Sequence, residues 1–137
     1  MKTQTRYRIS YLSKPATFLI GCILFSTISC IKELDVEPKL NTLQASDADI
    51  GSTTAVLKGE IQILGNLNII EYGIEISKSQ IFTPSTRKGY ATAPAVGIFQ
   101  VDFTGLDPNT LYYYKAYVTI NTAQVYSQTA AHFTTKQ

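Results

Sequence analysis

From Tyr112 to Asn121 the chain alternates without a break. Tyr112, Tyr114, Ala116, Val118 and Ile120 fall on one side, and Tyr113, Lys115, Tyr117, Thr119 and Asn121 on the other. A period of two held over ten residues describes a half-buried β-strand and excludes a helix. The strand is fed by Leu106-Asp107-Pro108-Asn109-Thr110. Pro108 fixes its own φ near a turn value and pushes Asp107 toward an extended conformation. Asp107 and Asn109 carry side chains suited to turns. A sharp corner followed by a long strand is the strongest constraint on the fold.

The same period recurs upstream. Ala55, Leu57, Gly59 and Ile61 alternate with Val56, Lys58 and Glu60, which predicts a strand over about 53–63. Gly65-Asn66 breaks it. Ile70, Tyr72, Ile74 and Ile76 then alternate with Glu71, Gly73, Glu75 and Ser77. Residues 79–95 are irregular, with Pro84, Pro94 and room for one edge strand near Lys88–Ala91. Phe99, Val101 and Phe103 predict a further strand, and the chain closes on one from about Gln124 to Thr134. Nowhere do apolar residues recur at helical spacing. Six or seven strands with a turn signal every 8–12 residues predict a sandwich of antiparallel sheets.

Leu106-x-Pro108-x-Thr110-x-Tyr112 resembles the corner between the fifth and sixth strands of fibronectin type III domains. Ala55-Val56-Leu57-Lys58-Gly59, Glu71-Tyr72-Gly73 and Phe133-Thr134-Thr135 extend the resemblance over roughly residues 43–134, and the whole pattern looks like the modules common in bacterial surface lipoproteins. It implies an all-β, Ig-like sandwich of about seven strands over 43–137. It also implies a tyrosine corner, in which the Tyr112 hydroxyl bonds to backbone a few residues upstream. The chain departs from the pattern in having no tryptophan, in Ala123 where the next hairpin usually has glycine, and in Ile120 where asparagine is frequent.

The first fourteen residues carry Lys2, Arg6, Arg8 and Lys14, and no acid precedes Glu33. An apolar run, Pro15–Cys30, follows. A basic start, a short apolar stretch and small residues before a cut describe a secretory signal. The rival reading, a membrane-spanning helix, would need ~20 apolar residues where the run offers sixteen. Both cysteines lie in this segment, so the domain itself holds none. Thr27-Ile28-Ser29-Cys30 resembles a bacterial lipobox, which implies a diacylglycerol on Cys30 and an acyl chain such as palmitate. Leu19-Ile20-Gly21-Cys22 matches letter by letter somewhat better. Cutting there, however, leaves a very short apolar region and an apolar mature start. The expected division is 1–29 signal peptide, 30–42 lipidated cysteine and tether, and 43–137 sandwich. Ile31 is not the aspartate of inner-membrane retention, so the resemblance implies an outer-membrane, envelope location.

Removal of the signal takes four of the twelve basic residues, leaving eight against ten acids, a mature charge of −2. No Lys/Arg cluster survives, so nucleic acid is not an expected partner. Catalysis is not expected either. His132, the sole histidine, reads as a solvent-facing strand residue, and with no cysteine in the domain the usual zinc ligand sets are unavailable. Glu71 and Glu75 share a face, but four strand residues separate them by about 13 Å, beyond the ~5–9.5 Å of glycosidase pairs. Asp47 and Asp49 read as turn formers. No metal and no cofactor other than the covalent lipid is expected.

The expected role is a non-catalytic module that binds an unidentified protein or glycan partner, held to the membrane by its lipid; the alternative is a structural spacer or accessory subunit of an envelope complex. In the fibronectin type III fold the strand after the corner lies beside the one holding Glu71 and Glu75. Tyr113, Lys115 and Tyr117 would then share one solvent face with Glu71 and Glu75, and tyrosines among fixed charges have the composition of a recognition surface. Tyrosine is also simply a favoured strand residue, and Lys115 can do no more than pair with a glutamate across the strands.

Overall fold

The computed structural model describes residues 33–121 and 123–137. The segment expected to be a signal peptide, with Cys22, and the expected lipid site Cys30 lie outside the described residues. Two antiparallel sheets pack face to face as a β-sandwich. The smaller holds β1 (Lys39–Leu43), β2 (Thr54–Ile63) and β5 (Gly97–Thr104) in the order β1-β2-β5. The larger holds β3 (Ile69–Ser77), β4 (Thr86–Tyr90), β6 (Leu111–Ile120), β7 (Ala123–Tyr126) and β8 (Ala131–Thr134), in the order β4-β3-β6, with β7 and β8 both paired to β6.

The alternating residues fill the layer between the sheets. Leu57 and Val101 from one sheet meet Ile74, Tyr114, Ala116 and Val118 from the other, all essentially excluded from water. Gly59 sits in this layer because a Cβ there would lie 2.5 Å from the ring of Phe99. At a rough 1.5–3 kcal/mol per large apolar side chain, this layer supplies the main favourable contribution to folding.

Two expectations need correction. The segment 30–42 is not all tether, because Lys39–Leu43 form β1 against β2. Its apolar residues are only Leu40 and Leu43, too few to show a period, and the pairing comes from β2. The stretch before it is also anchored. The Asn66 N–H donates to the Val36 carbonyl (3.1 Å), the Val36 N–H to Asn66 Oδ1 (2.7 Å), and Asn66 Nδ2 to the Leu34 carbonyl (3.1 Å). Gly65 permits this approach, having φ 70° and no Cβ, which would otherwise lie 2.0 Å from the Val36 oxygen.

The last strand is split. Ser127 donates its N–H to the Ala116 carbonyl, and the Ser-Gln-Thr segment then turns out of the sheet before β8 begins. The β6–β7 hairpin also manages without the usual glycine. Asn121 takes the positive φ (51°), which asparagine tolerates, and Ala123 is already paired to Ile120.

The open edges of the two sheets meet on one flank. Tyr90 donates its hydroxyl to the Gln100 carbonyl and Lys88 its ammonium to the Asp102 carbonyl, both at 2.7 Å. Side chains of edge strand β4 thus occupy carbonyls of edge strand β5 that another chain could otherwise pair with.

Candidate functional site

The expected face exists as a register but not as a solvent surface. Glu75 pairs with Lys115, Gly73 with Tyr117 and Ser77 with Tyr113 across β3 and β6, so Glu71, Glu75, Tyr113, Lys115 and Tyr117 do share the outer side of the larger sheet. Tyr117, however, is 0 % exposed and Glu75 5 %. Neighbouring strands and the β3–β4 loop lay long side chains over them. The Lys115 ammonium lies 4.0 Å from the Phe82 ring centre, 3.9 Å from that of Tyr126 and 3.7 Å from Glu75 Oε2. The Arg87 guanidinium lies 5.8 Å from the Tyr117 ring centre, and the Tyr117 hydroxyl donates to Glu71 Oε1 at 2.6 Å. Ser85 bonds the other oxygen of Glu75. Lys115 is taken up by two rings and a carboxylate and Arg87 by a ring, all of the chain itself, an arrangement strengthened by partial desolvation.

The electrostatics follow from this cover. Burial first, then the bond to Glu71, push the Tyr117 phenol far above its ordinary value. Burial, then the adjacent Glu75, raise that of Tyr126. The face is a polar second core. Tyr113 alone of the expected residues keeps an exposed hydrogen bond, accepting from Gln80 Nε2 at 3.1 Å, with the exposed His132 ring beside it. Sequence periodicity could not reveal the cover, because Phe82 is a single aromatic in an irregular loop. Its φ of 54° is a property of the tertiary fold.

The Asp107 N–H donates to the Tyr112 hydroxyl at 3.1 Å, Leu106 is buried, and the Thr110 hydroxyl donates to the Pro108 carbonyl at 2.8 Å. Thr135, noted in the sequence only as the end of the Phe133-Thr134-Thr135 resemblance, is buried here. Its hydroxyl donates to the Asp107 carbonyl (2.6 Å) and accepts from the Thr110 N–H (2.8 Å), tying the chain's end to the corner. Asp47 and Asp49 form a short 3-10 turn. The Asp49 carboxylate accepts from Ser46 and Lys58, in that order of effect, and is held below its ordinary pKa.

Beside the corner opens a cleft of about 560 Å³. Its buried apolar wall is Ile76, Phe103, Leu106 and Tyr112, and the polar residues Ser77, Ser79, Ser85 and Thr104 are among those that complete the lining. Lys78 and Asp107 form an ion pair at the cleft, with the ammonium 5.9 Å from the Tyr112 ring centre. That bond to Asp107 raises the pKa of Lys78. A volume of a few hundred Å³, apolar walls and a few convergent polar groups are the attributes of ligand sites. Sequence reading missed the cleft because its walls come from β3, the β3–β4 loop and the β5–β6 corner, distant in the chain. Among the described residues no group of three His, Cys, Asp or Glu side chains is placed to hold a metal.

No protein-family model and no curated protein matches the sequence. Solved structures do match in three dimensions. The sensor domain of the anti-sigma factor RsgI4 of Pseudobacteroides cellulosolvens aligns at a TM-score of 0.57 and 14 % identity, over 74 % of this chain and 96 % of that one. A longer form of that domain gives 0.56 and 15 %, over 73 % and 90 %, and its solution structure 0.54 and 15 %, over 73 % and 76 %. At such identities the likeness is one of fold, and it makes this chain a β-sandwich of the same architecture as those sensor domains.

Proposed function

We propose that the protein is a non-catalytic, lipid-anchored envelope protein whose single sandwich, of fibronectin type III-like organisation, binds a glycan or protein partner through the cleft beside the corner. The observation that carries this reading is the cleft itself, with apolar walls, polar lining residues and a charged pair in one concavity. It favours a binding module over a plain spacer, which needs no concavity. The sheet orders β1-β2-β5 and β4-β3-β6 and the Tyr112 corner support the fibronectin type III-like assignment. The fold likeness to sensor domains is compatible with ligand recognition. Anchoring rests on the lipobox resemblance at Cys30, and the outer membrane on Ile31.

Two measurements test this. Lys78→Glu removes the ion pair and reverses the charge at the cleft, and it should weaken retention of whatever partner the purified domain captures from a glycan panel or envelope extract. Capture unchanged by Lys78→Glu and by Thr104→Tyr, which fills the cleft, would remove the cleft from consideration. For the anchor, radiolabelled palmitate should be incorporated by the wild type and lost in Cys30→Ser. Label that persists there and disappears in Cys22→Ser would transfer the site to Cys22.

A further inference from the structure

The exposed apolar side chains are not scattered. Nine large ones are exposed among the described residues, and six of them, Leu34, Val36, Ile63, Ile70, Val96 and Ile98, belong to one end of the sandwich. Register places them there. Ile63 closes β2 opposite Lys39, Ile70 opens β3 beside the pair Ile69–Ile120, and Ile98 faces Glu60 at the start of β5. The β2–β3 and β4–β5 connections adjoin at this end, where Leu64–Ile69 meet Ala93 and Pro94. Leu34 is 82 % exposed, Ile98 67 % and Val96 60 %. The cleft, formed by the far end of β3 and the β5–β6 corner, lies at the opposite end.

The tether leaves from the apolar end. Asn66 clamps Leu34 and Val36 to the β2–β3 turn, so the chain is committed to this end from residue 34 onward. Only three residues lie between Cys30 and Leu34, four backbone steps with a contour of at most about 14 Å. A lipid on Cys30 therefore brings this end, and no other, to the headgroup region. We infer that the collar of Leu34, Val36, Ile63, Ile70, Val96 and Ile98 is a membrane-contact surface that rests on the bilayer interface and presents the cleft away from it. This rests on the reading of Cys30 as the lipidated residue. The ligand is a lipid surface recognised by apolar contact and not by charge. Glu33, Asp35, Glu37 and Glu60 stand beside the collar against Lys39, the single described cation there, so anionic headgroups gain no attraction and a neutral, zwitterionic surface is the fitting one. Contact of this kind scales with buried apolar area and is insensitive to salt.

The chain has no tryptophan, so single substitutions give clean reporters. Val96→Trp and Ile98→Trp report on the collar, and Ile81→Trp, at the cleft end, is the control. Each is made in the full chain, purified with its anchor and reconstituted into phosphatidylcholine vesicles, with or without lipids brominated high on the acyl chain. Each is also made in residues 30–137, which contain the whole core and only one cysteine, and coupled through the Cys30 thiol to a maleimide lipid. The collar reporters should shift to the blue on vesicles and be quenched by brominated lipid at low and high salt, while Ile81→Trp changes in neither respect. Collar reporters that match the control in the coupled sample overturn the inference. So does a blue shift without lipid quenching, which would mean that the collar meets a second copy of the chain. Failure of the anchor is separable: cell-derived protein without lipid refutes lipidation at Cys30, while quenching in the coupled sample still supports the surface.

Discussion

Thr42 and Ser127, 85 residues apart in the chain, share a buried hydrogen bond of 2.6 Å between their hydroxyls. Its direction follows from the neighbours. The Ser127 hydroxyl donates to the Thr129 carbonyl, so its oxygen accepts the Thr42 proton. Thr42 Oγ1 in turn accepts the Ala116 N–H at 2.9 Å, a donor that the gap between β7 and β8 leaves without a strand partner. β1 thus plugs the interruption in the opposite sheet. Thr42→Val should cost about 2–3 kcal/mol in chemical denaturation, because the Ala116 N–H and the Ser127 oxygen are stranded out of water. Ser127→Ala combined with it should cost less than the sum of the two single losses. Additive losses would show that the two hydroxyls act independently.

The three consecutive tyrosines at the start of β6 should respond differently to loss of the hydroxyl. Tyr112→Phe removes the acceptor of the Asp107 N–H and should cost about 1–2 kcal/mol. Tyr114→Phe should cost at least as much, since its hydroxyl donates to the Leu43 carbonyl and accepts the Ala45 N–H, both at 2.7 Å. Tyr113→Phe gives up only an exposed bond to Gln80 and should change the melting midpoint little. Equal shifts for Tyr112 and Tyr113 would contradict the assignment of faces.

The buried outer face makes Tyr117 a stability residue. Tyr117→Ala should destabilise by roughly 3–5 kcal/mol, as truncation of a buried aromatic does. A Tyr113/Tyr117 double-alanine variant is therefore a poor probe of binding, whereas Tyr113→Ala alone leaves the fold intact and tests that face. A Tyr117→Ala domain with wild-type stability would mean that the face is open to solvent.

Stability should fall on the alkaline side. Tyr114, Tyr117 and Tyr126 are all raised above the ordinary phenol value, chiefly by burial. The folded state thus favours the neutral ring, and this contribution is fully present below the unfolded pKa of about 10. Above it the unfolded chain ionises first, and stability is lost as pH rises toward the folded values. Denaturation midpoints should be flat from neutrality to about pH 9 and decline beyond pH ~10. Tyrosinate absorbance should show a late fraction that appears together with loss of the native circular dichroism. Complete titration near pH 10 with the fold intact would refute it.

Loss of the two edge caps should alter association more than stability. Lys88→Ala with Tyr90→Phe removes exposed bonds worth under about 1 kcal/mol but frees the Gln100 and Asp102 carbonyls at the β5 edge. Sedimentation should show concentration-dependent self-association stronger than that of the wild type. A variant that sediments as the wild type does would show that these two bonds are not what guards the edge.

The unbroken alternation of Tyr112–Asn121 settled the strand, its inward residues and its corner, because a period of two leaves a side chain only two directions and the more apolar set goes inside. The same reasoning located β2, β3 and β5 to within a residue or two. It could not find β1 or the split of the last strand, since both depend on partners: β1 on β2, and the gap between β7 and β8 on the hydroxyls of Thr42 and Ser127. Nor could it tell a solvated outer face from a covered one. Alternation reports which way Tyr117 and Glu75 point, and it is silent on whether Phe82, Arg87 and Tyr126 will lie over them. Cover, cleft and collar are made by side chains brought together from distant parts of the chain, so the tertiary structure alone decided them.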